Sequence, residues 1–534
     1  MVRARVLPMG DSAILVEVDS LDHVLALHAQ LGASLRNGVV DIVPAARTVL
    51  VRIDPRELSL ADARAWVQTA AAQASPEARV ASDEVVLDIA YDGPDLAETA
   101  DMLGLSAAEV ADRHASARWT VAFTGFAPGF AYLVSPDWPF DVPRLASPRT
   151  RVPPGAVGLA AGFTGAYPRE TPGGWRLIGT TRARLFDPDA ASPALLVPGA
   201  SVRFRRVPDP IRAPADPMEP GPGPEPEPRR QPKPQPATEP QPALGPDPSG
   251  VRIVEPGLLA TLQDLGRPGA ASLGVSSSGA LDRSALRTAN RLLGNREGAA
   301  AIEVTMGGLR AIPATDQWFA VTGAWGRILL AGREVDPYEA HRWGAGEELH
   351  VDWVSHGARV YLAVRGGFDG RVVLGSRATD RLAGLGPVAL TAGDVLPIAG
   401  DAVAPIPVAG IAPWGAPHDD ELEVDLAPGP RGDWFTASAH RTLFETLWTV
   451  SNDADRIGVR LDGPALERMA PGELPSEGMV PGAIQVPPTG RPTILLADGP
   501  VTGGYPVIAV VTDAALDLLA QARPGTRIRF RHAR

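Results

Sequence analysis

No cysteine occurs in the 534 residues, which excludes disulfides, thiolate nucleophiles and cysteine-ligated metals. Lysine is almost as scarce: Lys233 is the only one, and it stands in a proline-rich stretch. The folded parts therefore offer no lysine for a Schiff base, for covalent biotin or for a phosphate-binding P-loop. Any phosphate chemistry must rest on arginine, backbone N–H groups and a metal ion. The nine histidines show neither HExxH nor another paired ligand spacing, so no zinc site is expected. There is no GxSxG elbow, and no dinucleotide fingerprint follows a first strand. No apolar run reaches the length of a transmembrane helix, and the opening MVRARVLPMGDSAILVEV lacks the apolar core of a signal peptide. A cytoplasmic protein with no membrane partner is the expectation. The net charge of −12 implies no basic surface, which argues against nucleic acid as a partner.

What is present is a soluble-protein composition, 45% hydrophobic and 21% charged, in a chain too long for one core. The clearest boundary is EPGPGPEPEPRRQPKPQPATEPQPALGPDPSG, ending at residue 250. Its prolines stiffen the backbone into extended conformation and it has almost nothing to bury, so 211–250 reads as a disordered, semi-rigid linker between two fused halves. Ahead of it, SAILVEV and TVLVRI read as strands and 21–36 and 57–75 as helices, giving a small α/β domain over 1–80. EVVLDIAY opens a second domain over 81–210, with helices near 94–103 and 106–117 and then strands and Gly/Pro turns. Beyond the linker, a β-rich domain is expected over 251–415 and a last one over 416–534. The spacing predicts one helix near 280–293, with Leu281, Ala285, Ala289, Leu292 and Leu293 on one side. The fold class is α+β, rich in strands.

Both halves repeat three short patterns in the same order. PGAV (154–157), FTGAYP (163–168) and PGASVRF (198–204) are echoed by PGAI (481–484), VTGGYP (501–506) and PGTRIRF (524–530). Three collinear matches point to divergent copies of one β-rich module at the end of each half.

Candidate site residues fall in the Gly-rich loops. In FTGFAPGFAYL (123–133), glycines let backbone approach a ligand while Phe126, Phe130 and Tyr132 offer faces for a flat one; an aromatic-plugged turn is the alternative. YPRETPGGWRLIGTT (167–181) is a second loop, where Gly173-Gly174 could form an anion-binding nest or a plain hairpin turn. TLQDLGRPG (261–269) groups Gln263, Asp264 and Arg267, and SSSGALD (276–282) ends in Asp282, where Ser278 or Asp282 could simply cap a helix. Glu303 sits in an otherwise apolar strand and must be paired, exposed or functional. Arg377 and Arg456 stand beside acids and read as ordinary salt bridges. LPSEGMVPGAIQVP (474–487) adds Glu477 and Gln485, and His114 ends a helical pattern as a partner for its dipole.

Taken together, RTVLV, YDGPDL, GFAPGFAYL, RVPPGAVG, TPGGWRLIGTT and PGASVRF resemble the 5-oxoprolinase B-subunit family, also called the sporulation kinase inhibitor or allophanate hydrolase subunit 1 family. LLATLQDLGRPG, SSSGALD, AIEVTMGG, YLAVRGG, LGSRATD, SEGMVPGAIQVPPTGRP and TGGYP resemble the C-subunit family of the same enzyme, whose other names are allophanate hydrolase subunit 2 and the biotin-dependent carboxyltransferase-like family. The resemblance covers nearly everything but the linker. It implies cyclophilin-like β-barrels in both halves, and halves that work as a complex. It also implies an ATP-dependent opening of the 5-oxoproline lactam to L-glutamate with a separate A subunit, and with Mg²⁺-bound ATP as co-substrate.

Carried onto this chain, the family motifs nominate Asp264, Asp282, Glu303 and Glu477 as catalytic. They nominate Phe126, Phe130, Tyr132, Arg144, Arg149, Tyr167, Gly173, Gly174, Trp175, Gln263, Arg267, Arg377, Gln485, Thr502, Gly503 and Tyr505 for binding substrate or ATP. Two departures stand out. The family's glutamine before the first TG-YP is Phe163 here, and Gly499-Pro500 precede the second, so an amide is missing at what read as equivalent positions in the two copies. Two other functions fit the family names: a carboxyltransferase-like component served by a biotinylated partner, and a non-catalytic regulator of a histidine kinase.

Overall fold

A computed structural model describes residues 4–75, 84–208, 250–407, 415–417, 420–469, 472 and 474–533. The expected linker, apart from Gly250, lies outside the described residues. Among the described residues no helix is long and apolar enough to cross a membrane.

The chain opens with strands Ala4–Pro8, Ala13–Val18, Val39–Pro44 and Thr48–Ile53, in which the first and third in sequence form the two edges. Helices α1 (Leu21–Ala33) and α2 (Leu60–Gln73) start where Ser20 and Ser59 accept hydrogen bonds from the N–H groups of His23 and Asp62. AILVEV and TVLVRI are apolar almost throughout because both faces of this sheet are covered. On one face Ile14, Val16, Val49 and Val51 pack beneath the helices around Leu27, Leu31 and Trp66. On the other, Leu7, Met9, Leu15 and Leu50 pack against Met479, Val480, Leu495, Val507 and Val510, which belong to the last barrel of the chain. The approach is so close at Gly478 that a Cβ there would run into the Leu50 side chain.

Each half contains one seven-stranded barrel. The first uses Val85–Ile89, Trp119–Thr124, Ala131–Val134, Ala156–Ala160, Phe163–Ala166, Arg176–Thr180 and Ser201–Arg206. The second uses Glu421–Pro428, Leu447–Val450, Gly458–Asp462, Ala483–Gln485, Thr493–Leu495, Val507–Val511 and Arg527–His532. Counted along the chain, the strands of both follow the order first, sixth, fourth, fifth, third, second, seventh, with the first and seventh parallel. The second barrel is closed by that parallel pair. In the first, the closing contact is a bridge between Ala90 and Thr180, whose backbone groups exchange hydrogen bonds of 2.9 and 2.8 Å.

The likeness extends further. Helices α3 (Leu96–Leu103) and α4 (Ala107–Ser116) fill the same gap between first and second strands that a later helix, Ala437–Glu445, fills in the second barrel. A buried tryptophan on the second strand, Trp119 or Trp448, sits opposite Val202 or Ile528 of the seventh. In both cases its indole N–H donates at 3.0 Å to the carbonyl five residues earlier, on His114 or Leu443. Two-stranded ribbons occupy the same intervals: Arg149–Val152 with Thr171–Gly173, and Glu477–Gly478 with Thr502–Gly503.

The duplication is therefore real, but one of the three echoes that suggested it is not. PGAV and PGAI lead into the fourth strands, and PGASVRF and PGTRIRF into the seventh. FTGAYP lies on the fifth strand of its barrel, whereas VTGGYP lies in the ribbon before the sixth. The positional counterpart of TGGYP is TPGGW (171–175), with Trp175 standing where Tyr505 stands. Phe163 and Pro500 are thus not equivalent positions, and the idea of one amide lost twice falls away.

Between the barrels, residues 251–396 form a six-stranded and a five-stranded sheet packed face to face, Val251, Ile253 and Leu309 meeting Leu262, Ile302 and Leu362. Helix α5 (Arg283–Leu292) lies on the outer face of the five-stranded sheet through Leu286, Ala289 and Leu293. Leu281, expected on its apolar stripe, instead precedes the N-cap Asp282 and enters the core of the second barrel.

Because the opening sheet is glued to the last barrel, Leu50→Ala should destabilise the whole chain. The expected loss is about 2–5 kcal/mol, the range for a buried leucine that leaves a cavity, read from urea unfolding. A midpoint within error of wild type would show that this face carries little.

Candidate functional site

The aromatic loop of the first half folds into a box. Phe130 meets Tyr167 and Trp175 edge-on at 5.1 and 5.3 Å between ring centroids, and Tyr132 stacks on Phe123 at 4.3 Å. Phe163 completes it against Phe123 and Tyr132. Phe126 is the exception: it is 41% exposed and held at a left-handed φ of 65°, a conformation unusual for a large side chain. Desolvation pushes the phenols of Tyr132 and Tyr167 up to about 12, so both are neutral hydrogen-bonding groups at ordinary pH. Two arginines stand at the rim. Arg149 donates to Asp95 at 2.6 Å and leaves Nη1 without a partner among the described residues, and Arg144 is exposed with no ion pair among them.

Gly173 and Gly174 both have negative φ and sit in the ribbon, where the carbonyl of Gly174 accepts from Leu145 N–H at 2.8 Å. A nest needs a left-handed residue in the pair, so this is not the anion-binding turn; nor is it a hairpin, because the 171–173 strand pairs with 149–152 and Gly174 leads on into Arg176–Thr180. His114 is also corrected. It is fully buried, its ring nitrogens engaged by Tyr91 Oη and Thr164 Oγ1, and desolvation lowers its pKa to about 3. It is a neutral core residue, not a cation at a helix end.

The box opens onto the second half. Thr124 Oγ1 donates to the carbonyl of Ser272, Gly129 N–H donates to Leu273 at 2.9 Å, and a Cβ on Gly125 would collide with Thr502 Oγ1. Gln485 lies against Gly503 from the other side, its Nε2 reaching Met479 Sδ at 3.4 Å. Phe126, edge-on to Phe130 at 5.3 Å and to Tyr167 at 6.2 Å, and Tyr505 of the second half, 39% exposed, are partly open aromatics. Glu477 is paired in the same ribbon with Gly503 and faces away into a cavity of about 260 Å³ beneath the opening sheet. There Arg431 Nε donates to both Glu477 oxygens at 3.0 and 3.3 Å, and Nη2 bridges Glu477 to Glu17. Desolvation pushes the Glu477 carboxyl up against the pull of Arg431, and Glu17 adds to the rise.

The remaining candidates form buried supports. Asp264 accepts from Gly266 N–H, Ser376 Oγ and Arg377 N–H at 2.8, 2.6 and 2.7 Å, which ties the 261–269 loop to 375–380. Gln263 donates to Thr261 and Thr379, Arg267 to the carbonyls of Val373 and Ala378, and Arg377 to Asp369. Deeper lies Arg456, fully buried rather than at the surface. It donates to Glu303 at 2.6 Å, to Asp498 at 2.8 and 3.1 Å and to the carbonyl of Gly279. Glu303 also accepts from Tyr361 Oη at 2.7 Å and from Leu281 N–H. Desolvation works to raise its pKa, but Arg456, Arg359 and the Tyr361 hydroxyl hold it below the usual carboxylate value.

Asp282 caps α5 by accepting from Ala285 N–H at 2.8 Å, while Gln521 of the last barrel donates to its other oxygen at 2.7 Å. Ser278 does not cap; it donates to Asp498. The structure thus unites the first-half candidates in one box and places Gln485, Thr502, Gly503 and Tyr505 across the seam from it. Asp264, Asp282 and Glu303 lie apart from it in buried hydrogen-bond networks. Asp498, Tyr361 and Gln521, which complete the networks of Glu303 and Asp282, and Arg431, which pairs with Glu477, have no local sequence cue; only the buried charges they face point to them.

Residues 4–196 match the carboxyltransferase domain, subdomains C and D, and residues 273–532 match the carboxyltransferase domain, subdomains A and B. The second half is 38% identical over 285 residues to the 5-oxoprolinase C subunit of Escherichia coli strain K12, covering 52% of this chain and 90% of that one. The first half is 41% identical over 216 residues to the 5-oxoprolinase B subunit of Escherichia coli O157:H7, covering 38% of this chain and 96% of that one. The chain belongs to the carboxyltransferase-domain family of the 5-oxoprolinase B and C subunits. A crystal structure of TTHA0988 superposes with a TM-score of 0.81 at 34% identity, covering 99% of this chain and 100% of that one. The two-barrel arrangement is accordingly shared over the full length.

Two outcomes separate frame from chemistry. Glu303→Gln should cost about 3–5 kcal/mol, the penalty for stripping a partner from a buried ion pair, measured by urea unfolding; a cost below about 1 kcal/mol would show that the acid is not structural. For Asp282, desolvation raises the carboxyl to about 7, so the folded chain holds a proton that the unfolded chain releases. Its contribution is present below pH ~4 and is lost as pH rises to ~7. Wild type should lose stability relative to Asp282→Asn across that window. Parallel unfolding midpoints in the two proteins would exclude this titration.

Proposed function

We propose that this chain is the fused B and C component of an ATP-dependent 5-oxoprolinase, which opens the lactam of 5-oxoproline to L-glutamate together with a separate A-type protein of the same enzyme. One observation carries the reading. Nearly complete counterparts of one B and one C subunit, 96% and 90% of their lengths, lie side by side in one chain and pack through a shared apolar core.

The chemistry asks for ATP because the lactam is resonance-stabilised. Transfer of the γ-phosphoryl group to the amide oxygen releases ADP and leaves the ring carbon electrophilic. Water then adds to that carbon, the C–N bond breaks as the nitrogen takes up a proton to become the amine, and the acyl phosphate left behind is hydrolysed by a second water to the carboxylate and phosphate. Groups that hold anions near a flat ring suit this work. Arg144, free of any ion pair among the described residues, and Arg149, with one unpartnered nitrogen, stand beside Tyr167 and Trp175. These residues favour the first-half box as the place where the ring or a phosphate is held, with Mg²⁺ entering alongside ATP.

The test is to mix the purified chain with the A-type protein of the same genome, ATP, Mg²⁺ and 5-oxoproline, and to follow ADP and glutamate together. Equal release of both, requiring both proteins, is expected. Arg144→Ala should lower that rate by about tenfold or more, the loss of one charge-assisted contact, without moving thermal unfolding. ADP without glutamate would redirect the reading to another lactam. Neither product would favour the carboxyltransferase activity in the family's description, which would then need biotin on a partner because Lys233 is the only lysine here.

A further inference from the structure

The duplicated barrels share an ion pair of opposite polarity. In the first barrel, Arg149 stands opposite Gly173 in the ribbon and pairs with Asp95, the N-cap of α3. In the second, Glu477 stands opposite Gly503 and pairs with Arg431, the N-cap of the short helical turn Gly432–Trp434 that follows the first strand. The positions correspond and the charges are exchanged. Since both polarities support the same fold, the polarity of the matched pair is not a folding requirement. It sets the charge presented to the cavity beneath the opening sheet.

That cavity, about 260 Å³, is metabolite-sized rather than drug-sized. Its inner end holds Glu477 and Glu17 around the single guanidinium of Arg431, one negative charge in excess. Glu477 and Arg431 are 3% and 4% exposed, so that pair is poorly screened, while Glu17, which carries the excess, is 32% exposed at its side chain. The outer end carries the exposed side chains of Arg5, Arg47 and Asp433, two cations to one acid. Arg5 lies 3.7 Å from Glu17 and donates to Asp433 at 3.3 Å, an exposed pair that a ligand carboxylate can replace, and Arg47 donates to the carbonyl of Asp19. Trp434 lines a wall. A ligand matching this polarity places a cationic nitrogen inward and an anion outward.

We propose that this cavity binds a free α-amino acid, its ammonium group at Glu477 and Glu17 and its carboxylate at Arg5 and Arg47. The inference deepens the lactam-opening reading, since ring opening creates such an ammonium where 5-oxoproline has only a neutral amide; the choice of glutamate as probe rests on that reading, the need for an ammonium does not.

Calorimetric titration of the full chain with L-glutamate, N-acetyl-L-glutamate and glutarate tests it. L-Glutamate should bind, and the two probes lacking an ammonium should bind at least about tenfold more weakly. Arg47→Ala, at an exposed position, should weaken glutamate similarly with thermal unfolding unchanged, and Glu477→Gln should weaken it further. If Glu477→Gln fails to fold, the Arg47 variant and the probe series still decide. N-acetyl-L-glutamate binding as tightly as glutamate would overturn the proposal, as would no glutamate binding up to ~10 mM, a range reaching beyond a Kd of 1 mM. The titration needs neither ATP nor a second protein, so its failure and that of the coupled assay are distinguishable.

Discussion

The opening four-stranded sheet has no solvent-facing side, and the arrangement of the rest follows from that. One face is closed by its own helices, while the other, with Leu15 and Leu50, can be closed only by another element. The element that closes it comes from the far end of the chain. Once that contact forms, the seam between the aromatic loop and the TGGYP ribbon and the cavity around Glu477 are brought into place together, because both are bounded by the same last barrel. Apolar burial of this kind is non-directional; the close approaches at Gly478 and Gly125 supply the missing specificity, since any side chain there would separate the surfaces.

Much of this was legible in the sequence. Strands buried on both faces read as continuous apolar runs, helices showed as periodic patterns over 21–36 and 57–75, and two of the three repeated patterns marked equivalent strands. The third misled because TG-YP is compatible with two settings, a barrel strand at 163–166 and a short ribbon at 502–503. What separates FTGAYP from VTGGYP is strand order, a long-range property that no five-residue window carries. The shared placement of Trp119 and Trp448 was invisible for the same reason: it depends on a carbonyl five residues back and a strand partner about 80 residues on.

The candidate site was half legible. Aromatics and glycines within one loop declared themselves locally. The acids did not, because a carboxylate's role is decided by what it faces. Asp264 faces backbone N–H groups, Glu303 faces Arg456 and a tyrosine hydroxyl, and Glu477 faces a cavity. Arg456 looked like a surface ion pair from its neighbours Asp453 and Asp455, yet its partners are Glu303 and Asp498, brought in from two other segments. Buried charges of this sort are arranged by tertiary packing and must be matched one for one.

The docking of the first unit onto the last barrel also changes what the covalent link means. The two halves are held by a continuous core and by backbone hydrogen bonds such as Gly10 to Pro428 and Ala46 to Ser476, none of which involves the segment that joins them in sequence. Topologically that joint is redundant. A fused gene and a pair of adjacent genes would encode the same assembled body, and fusion contributes only what tethering contributes: a fixed one-to-one stoichiometry and a high effective concentration of each half for the other.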